Sequence, residues 1–98
     1  MLIYVDIDNT ICATPDNLEY DKAVPMAENI EKINNLFEQG NRIVYWTARG
    51  CVTGIDWTDV TTKQLDSWGA KYHELRMNEK PPYDLLICDK TKRIEEIS

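Results

Sequence analysis

The chain has 98 residues, 43% of them hydrophobic, with a formal net charge of −6 and an isoelectric point near 4.6. This length predicts one folded domain over residues 1–98, and the acidic balance argues against a general binder of nucleic acid or anionic membranes, which would carry a basic surface. No apolar stretch approaches the ~20 residues that span a bilayer, and the N-terminus lacks the basic start of a signal peptide, so we expect a cytoplasmic protein.

The first predicted element is a buried strand over residues 2–5, which leads directly into Asp6 and Asp8. Side chains two residues apart in an extended segment lie on the same side, so these carboxylates would repel each other unless a cation, a substrate or a bend intervenes. Two solvated acids at a strand end fit the pair equally well. The position favours a functional site, because ligands of open α/β sheets bind beyond the carboxyl ends of the strands.

A loop and a helix follow. Residues 11–24 contain Pro, Asn and Asp without a sustained period, which predicts a loop with room for a small hairpin. Pro25 suits the first turn of a helix over residues 26–39, and Gly40 suits its end. The apolar residues that recur at helical spacing, and that predict a face packed on the sheet, are Ile30, Ile33, Leu36 and Phe37.

The second predicted strand, residues 42–46, ends in Thr47, Ala48 and Arg49. A hydroxyl and a guanidinium at a strand end can bind an anionic group, although a turn-forming threonine and a solvated arginine fit as well. A second helix is predicted over residues 58–68. Asp56 or Thr58 would cap it, and its inward residues would be Val60, Leu65 and Trp68.

The last part of the chain predicts an edge strand over residues 71–77 and a fourth strand over 84–90, with a short helix over 94–97. Lys80 lies between these strands, in a loop that two prolines restrain, and Asp89 closes the fourth strand. The one histidine, His73, is predicted to be structural. The three cysteines are widely spaced and form no metal-binding or redox motif, so we expect reduced thiols at Cys12, Cys51 and Cys88.

The segment Asp6-Ile7-Asp8-Asn9-Thr10 resembles the nucleophile motif Asp-x-Asp-x-Thr of the haloacid dehalogenase superfamily. Thr47, Lys80 and Asp89 are similar, in the same order, to that superfamily's three further signals. The last signal is often a pair of acids, and here Cys88 stands in place of the first. The whole chain is most similar to small, capless phosphatases of capsule and polysaccharide biosynthesis loci.

The resemblance implies a three-layer, Rossmann-like α/β fold. Its parallel sheet would have the strand order 3-2-1-4, with helices on both faces and no cap domain. It also implies that Asp6 attacks a phosphoryl group and that Asp8 acts as general acid and base. Thr47 and Lys80 would hold phosphoryl oxygens, and Ala48 and Arg49 would join them in binding the substrate.

The implied cofactor is Mg²⁺, with Asp6, Asp8 (through its carbonyl) and Asp89 as ligands. The implied activity is hydrolysis of a small phosphorylated metabolite, a sugar phosphate in first place, with no membrane or nucleic-acid partner. Two alternatives stay open: a phosphatase for nucleotides or polynucleotide ends, and a catalytically weak scaffold, which Cys88 suggests. A receiver-type regulatory domain fits less well, because its phosphorylated aspartate ends the third strand. The sequence does not indicate an oligomeric state.

Overall fold

The computed structural model describes residues 1–15, 19–49, 54–77 and 85–87, with backbone alone at 85 and 86. Along these residues the chain forms six strands, two α-helices and one 3₁₀ turn. In chain order the elements are β1 (Leu2–Asp6), β2 (Cys12–Ala13), the 3₁₀ turn (Tyr20–Lys22), β3 (Val24–Pro25), α1 (Ala27–Glu38), β4 (Arg42–Thr47), α2 (Thr58–Ser67), β5 (Glu74–Met77) and β6 (Leu85–Ile87).

The main sheet has four parallel strands in the order β5-β4-β1-β6. This confirms the predicted order 3-2-1-4. Residues 3–5 of β1 and 43–45 of β4 are buried without a break, as expected for parallel strands covered on both faces. Asp6 pairs with Trp46 in the register, so the end of β1 and Thr47 lie at the same edge of the sheet.

Both α-helices of the described residues pack on one face of this sheet. Side chains from alternate positions of β1 and β4, from α1 and from α2 form its core: Ile3, Val5, Ile43, Tyr45, Ile30, Ile33 and Leu65. Tyr4 and Val44, from the intervening positions, are buried on the other face. The predicted helix over residues 94–97 lies outside the described residues, so the second helical layer is not seen in the described part of the chain.

Several element boundaries differ from the prediction. Pro25 lies in β3 and not in the first turn of α1, because the N–H of Met26 donates to the carbonyl of Ile11 (2.8 Å) and extends the β2–β3 hairpin. The edge strand begins at Glu74 and not at residue 71. His73 lies before it, where its N–H donates to the Ile43 carbonyl and its Nδ1 accepts the Ile43 N–H (3.1 Å), which confirms a structural role.

The segment between β1 and α1 carries only the β2–β3 hairpin and the 3₁₀ turn in its described part, without an inserted cap domain. The hairpin and the turn form a short flap, which contacts Asp8 through Thr14 and Arg49 through Tyr20 at the carboxyl edge of the sheet. Neither described α-helix has the length and apolar character that crossing a membrane would require.

Candidate active site

The chain turns sharply at the carboxyl end of β1. The Ile7 N–H still donates to the carbonyl of Trp46 on β4 (3.1 Å), but the N–H groups of Thr10 and Ile11 then fold back onto the Ile7 carbonyl. Asn9 has a φ of 63°, a left-handed conformation that asparagine adopts more readily than most residues. This turn ends β1 and places Asp8 at the carboxyl edge of the sheet, beside Cys12.

Asp8 accepts hydrogen bonds on both oxygens of its carboxylate. Its Oδ1 receives the hydroxyl of Thr14 (2.7 Å) and two guanidinium nitrogens of Arg49, Nη2 (2.8 Å) and Nε (3.1 Å). Its Oδ2 receives the hydroxyl of Thr47 (3.0 Å) and, more weakly, Nε of Arg49 (3.2 Å). The Asp8 side chain is 22% exposed. One edge of a firmly held carboxylate therefore faces the solvent at the edge of the sheet.

Arg49 is buried and fully engaged by protein groups. Its side chain has no exposed surface, and its guanidinium reaches Asp8 on one side. On the other side Nη1 donates to the hydroxyl of Thr61 (3.0 Å) and to Oε1 of Gln64 (2.5 Å), both on α2. The guanidinium carbon lies 4.9 Å from the centre of the Tyr20 ring, a cation–π contact. The sequence-based prediction placed Arg49 among substrate-binding residues, whereas here its donors are directed at Asp8 and α2.

Gln64 connects α2 to the flap over the sheet edge. Its Nε2 donates to the carbonyl of Tyr20 (2.6 Å), while its Oε1 accepts from Arg49. The Tyr20 ring meets Trp57 edge to face, with the ring centres 5.1 Å apart, and both side chains are partly exposed. Burial and the nearby Asp8 charge raise the pKa of the Tyr20 phenol. The site therefore has a polar interior and an aromatic border.

The sequence analysis missed Thr14, Thr61 and Gln64. Thr61 had a detectable signal: it lies four residues before Leu65, so a polar residue occupies the inward face of α2, where it is fully buried. Thr14 and Gln64 had none, because each lies in a polar stretch where a hydrogen-bonding role cannot be told from solvation.

The predicted site residues fall into two groups. Asp6, Asp8, Thr47 and Arg49 come together at the carboxyl edge of β1 and β4, and Ala48 is exposed between the last two. The hydroxyl of Thr47 also accepts the backbone N–H of Arg49 (3.2 Å). The remaining predicted residues, Lys80 and Asp89, lie outside the described residues, as do Cys51 and Cys88.

The oxygen atoms of Asp6 and Asp8 at this edge could supply some of the ligands that a hard cation needs. Carboxylate oxygens are the ligands that Mg²⁺ prefers, and Asp6 supplies one at the end of β1. The carboxylate of Asp8 is already taken up by Arg49 and two hydroxyls, which leaves its carbonyl as the group for a cation. Within the described ranges no three His, Cys, Asp or Glu side chains cluster as metal ligands. Mg²⁺ sites often use one or two carboxylates completed by water, so Asp6 and the carbonyl of Asp8 are compatible with part of a Mg²⁺ site.

Cys12 lies beside Asp8 but is not built as a nucleophile. Its unbridged thiol is buried, its Sγ is 3.5 Å from the Thr14 hydroxyl, and burial raises the pKa of the thiol. It therefore packs as a small apolar residue behind the carboxylate.

No protein-family model matches the sequence, nor does any curated protein sequence. Solved structures do match. An MCSG target from Vibrio cholerae has a TM-score of 0.71 and 25% identity over 82% of this chain and 71% of that chain. The D,D-heptose 1,7-bisphosphate phosphatase from Burkholderia thailandensis has a TM-score of 0.63 and 20% identity over 90% of this chain and 65% of that one. This chain has a haloacid dehalogenase-like fold.

The same fold occurs in the Pnkp1/Rnl/Hen1 RNA repair complex, where the matching chain has a TM-score of 0.69 and 14% identity. That match covers 97% of this chain but only 38% of the other, so this chain spans well under half of that protein. The haloacid dehalogenase-like fold puts the end of β1 at the centre of the sheet edge. The polar cluster around Asp8 occupies that position.

Proposed function

We propose that this protein is a Mg²⁺-dependent phosphomonoester hydrolase that acts on a small phosphorylated metabolite through an aspartyl-phosphate intermediate. The observation that carries the proposal is the cluster at the carboxyl edge of β1 and β4. There Asp8, two residues after Asp6, is held by Thr47 and Arg49 in a haloacid dehalogenase-like fold. Two carboxylates and a hydroxyl at a sheet edge supply a nucleophile, an acid and base, and a hydrogen-bonding group for phosphoryl transfer.

In the proposed reaction Asp6 attacks the phosphorus in line with the bond to the leaving oxygen. That P–O bond breaks, and Asp8 protonates the departing oxygen through its exposed edge. Asp8 then removes a proton from the water that hydrolyses the aspartyl phosphate. Splitting one displacement into two in this way lowers the barrier of each. Thr47 and Lys80 would hold phosphoryl oxygens during both steps, as the resemblance implies.

The metal would be held by Asp6, by the carbonyl of Asp8 and by Asp89. When bound, it supplies positive charge that offsets the charge developing on the transferred phosphoryl group. The protein itself holds the carboxylate of Asp8 by hydrogen bonds, so that this carboxylate would serve as acid and base and not as a metal ligand. The contacts from Arg49 and Thr14 to Oδ1 are consistent with this division of roles.

A second candidate is a phosphatase for nucleotides or for the 3′- or 5′-phosphate ends of polynucleotides. The partly exposed pair Tyr20 and Trp57 favours it, because aromatic rings beside a phosphate site can stack on a base. The similarity to a chain of an RNA repair complex points the same way. The net charge of −6 argues against long nucleic acid and leaves a mononucleotide or a short end as the better fit.

The test is a phosphatase screen with purified protein over sugar phosphates, nucleotides and end-phosphorylated oligonucleotides, with Mg²⁺ and with EDTA. We expect phosphate release that requires Mg²⁺ and that Asp6→Asn abolishes. Glu38→Gln, an exposed carboxylate on α1 that pairs with Lys71, is the matched control and should keep full activity. Full activity of Asp6→Asn would reject the nucleophile. Mg²⁺-dependent binding of phosphorylated compounds without release of phosphate would favour the weak-scaffold alternative.

A further inference from the structure

Asp8 and α2 are joined through a buried chain of hydrogen bonds. We propose that Arg49 is a positioning residue, clamped by Thr61 and Gln64 of α2, which aims the Asp8 carboxylate at the leaving group and does not itself bind the substrate phosphate. This inference rests on the proposed function, and it adds a role for Thr61 and Gln64 that the proposed function does not use. The observations behind it are burial, the direction of each hydrogen bond and the shape of the guanidinium.

Burial separates this role from phosphate binding. The Arg49 side chain has no exposed surface, whereas a residue that binds the substrate phosphate must present its N–H groups to the substrate. Each of its three nitrogens already donates to a protein acceptor: Nε and Nη2 to Asp8, and Nη1 to Thr61 and Gln64. Nη2 also lies 4.0 Å from Cys12 Sγ, and because the side chain is fully buried a substrate oxygen could reach this guanidinium only by displacing a neighbouring group.

The guanidinium of Arg49 determines which carboxylate oxygen of Asp8 stays available for proton transfer. Nη2 and Nε both reach Oδ1 at 2.8 and 3.1 Å, and the Thr14 hydroxyl adds a third donor at 2.7 Å. Oδ2 receives only the Thr47 hydroxyl at 3.0 Å and the longer Nε contact at 3.2 Å. Oδ2 is thus the less saturated oxygen, and we assign proton transfer to it.

The groups on α2 prevent Arg49 from turning away. Thr61 and Gln64 are one helical turn apart and both hold Nη1, and Gln64 is oriented in turn by the Tyr20 carbonyl at 2.6 Å. Planar guanidinium geometry transmits this restraint to the other two nitrogens, which a lysine ammonium cannot do. Small displacements of an acid or base cost large factors in rate, so the clamp has catalytic value.

The test compares two substrates that differ in their need for an acid. p-Nitrophenolate leaves without protonation, whereas an alkyl alkoxide does not, and kcat/KM reports the steps up to loss of the leaving group. For Arg49→Lys we expect kcat/KM on an alkyl phosphate to fall about tenfold or more beyond its fall on p-nitrophenyl phosphate, with KM nearly unchanged. Gln64→Leu should give the same selective loss, about threefold, from a residue whose hydrogen bonds go to Arg49 and to the Tyr20 carbonyl.

Arg42→Lys is the matched control, at the other end of β4, where the side chain is 57% exposed. It should leave both substrates unchanged. Equal losses on both substrates with a raised KM in Arg49→Lys would overturn the inference and return Arg49 to phosphate binding. The inference would also be overturned if the ratio of kcat/KM on the alkyl phosphate to kcat/KM on p-nitrophenyl phosphate were unchanged in both Arg49→Lys and Gln64→Leu. The phosphatase proposal would then still stand. If Arg49→Lys does not fold, Gln64→Leu decides alone. No turnover by the wild type on any substrate would reject both proposals.

Discussion

Asp8→Asn should destabilise the protein because it leaves the Arg49 charge buried without its counter-ion. Removing one partner of a buried ion pair costs about 3–5 kcal/mol. Here the Arg49 side chain is 0% exposed and that of Asp8 22%, and Arg49 keeps its contacts to Thr61 and Gln64. Because Asp8 is partly exposed and Arg49 keeps two partners, the low end of that range applies. We expect a loss of about 3 kcal/mol in the free energy of unfolding. For a domain of this size that is a fall of about 12–24 °C in Tm.

The assay is urea unfolding followed by circular dichroism, with Asp8→Asn, Arg49→Met and the double variant in one cycle. The double variant should be more stable than the sum of the two losses predicts, because neither charge is then left alone. Glu38→Gln breaks the exposed pair with Lys71 and should change the free energy of unfolding by less than about 1 kcal/mol. A loss below about 1 kcal/mol for Asp8→Asn, or strict additivity in the cycle, would refute the ion-pair argument.

Three further predictions follow from particular contacts. Thr47→Val removes the hydroxyl that donates to Oδ2 of Asp8 and should lower kcat/KM on an alkyl phosphate about tenfold; an unchanged value would count against this contact. His73→Phe keeps the stacking on Phe37 but leaves the Ile43 N–H without its acceptor, so urea unfolding should show a loss of about 1 kcal/mol, and His73→Asn should lose less. Asp56→Ala should lower stability at neutral pH. Hydrogen bonds from the side chain and from the N–H of Thr58 hold the pKa of the Asp56 carboxyl below its usual range, so the contribution of Asp56 to stability is present above that range and disappears as the pH falls through the lowered pKa. Urea midpoints of wild type and Asp56→Ala should therefore converge under strongly acidic conditions, and a constant gap would contradict this.

The sequence by itself determined the elements and their order. Apolar runs predicted β1 and β4, and the 3.6-residue period over Ile30 and Ile33 predicted α1, because burial of one face imposes these periods. Right-handed crossovers then brought Asp6 and Thr47 to one edge of the sheet. The boundaries were less well predicted at Pro25, because a hydrogen bond from Met26 to the hairpin outweighs the preference of proline for a first helical turn.

Only the tertiary structure decided what the polar residues at that edge do. From the sequence, Arg49 was as well suited to hold a phosphate or an acidic group as to be a solvated loop arginine, and the fold gave it Asp8, 41 residues earlier in the chain. Thr61 and Gln64 acquired their role from the way α2 packs beside the end of β4. Hydrophobic periods specify which face of an element is buried. The partner of a buried polar group depends instead on how those faces meet in three dimensions, and no local pattern carries that information.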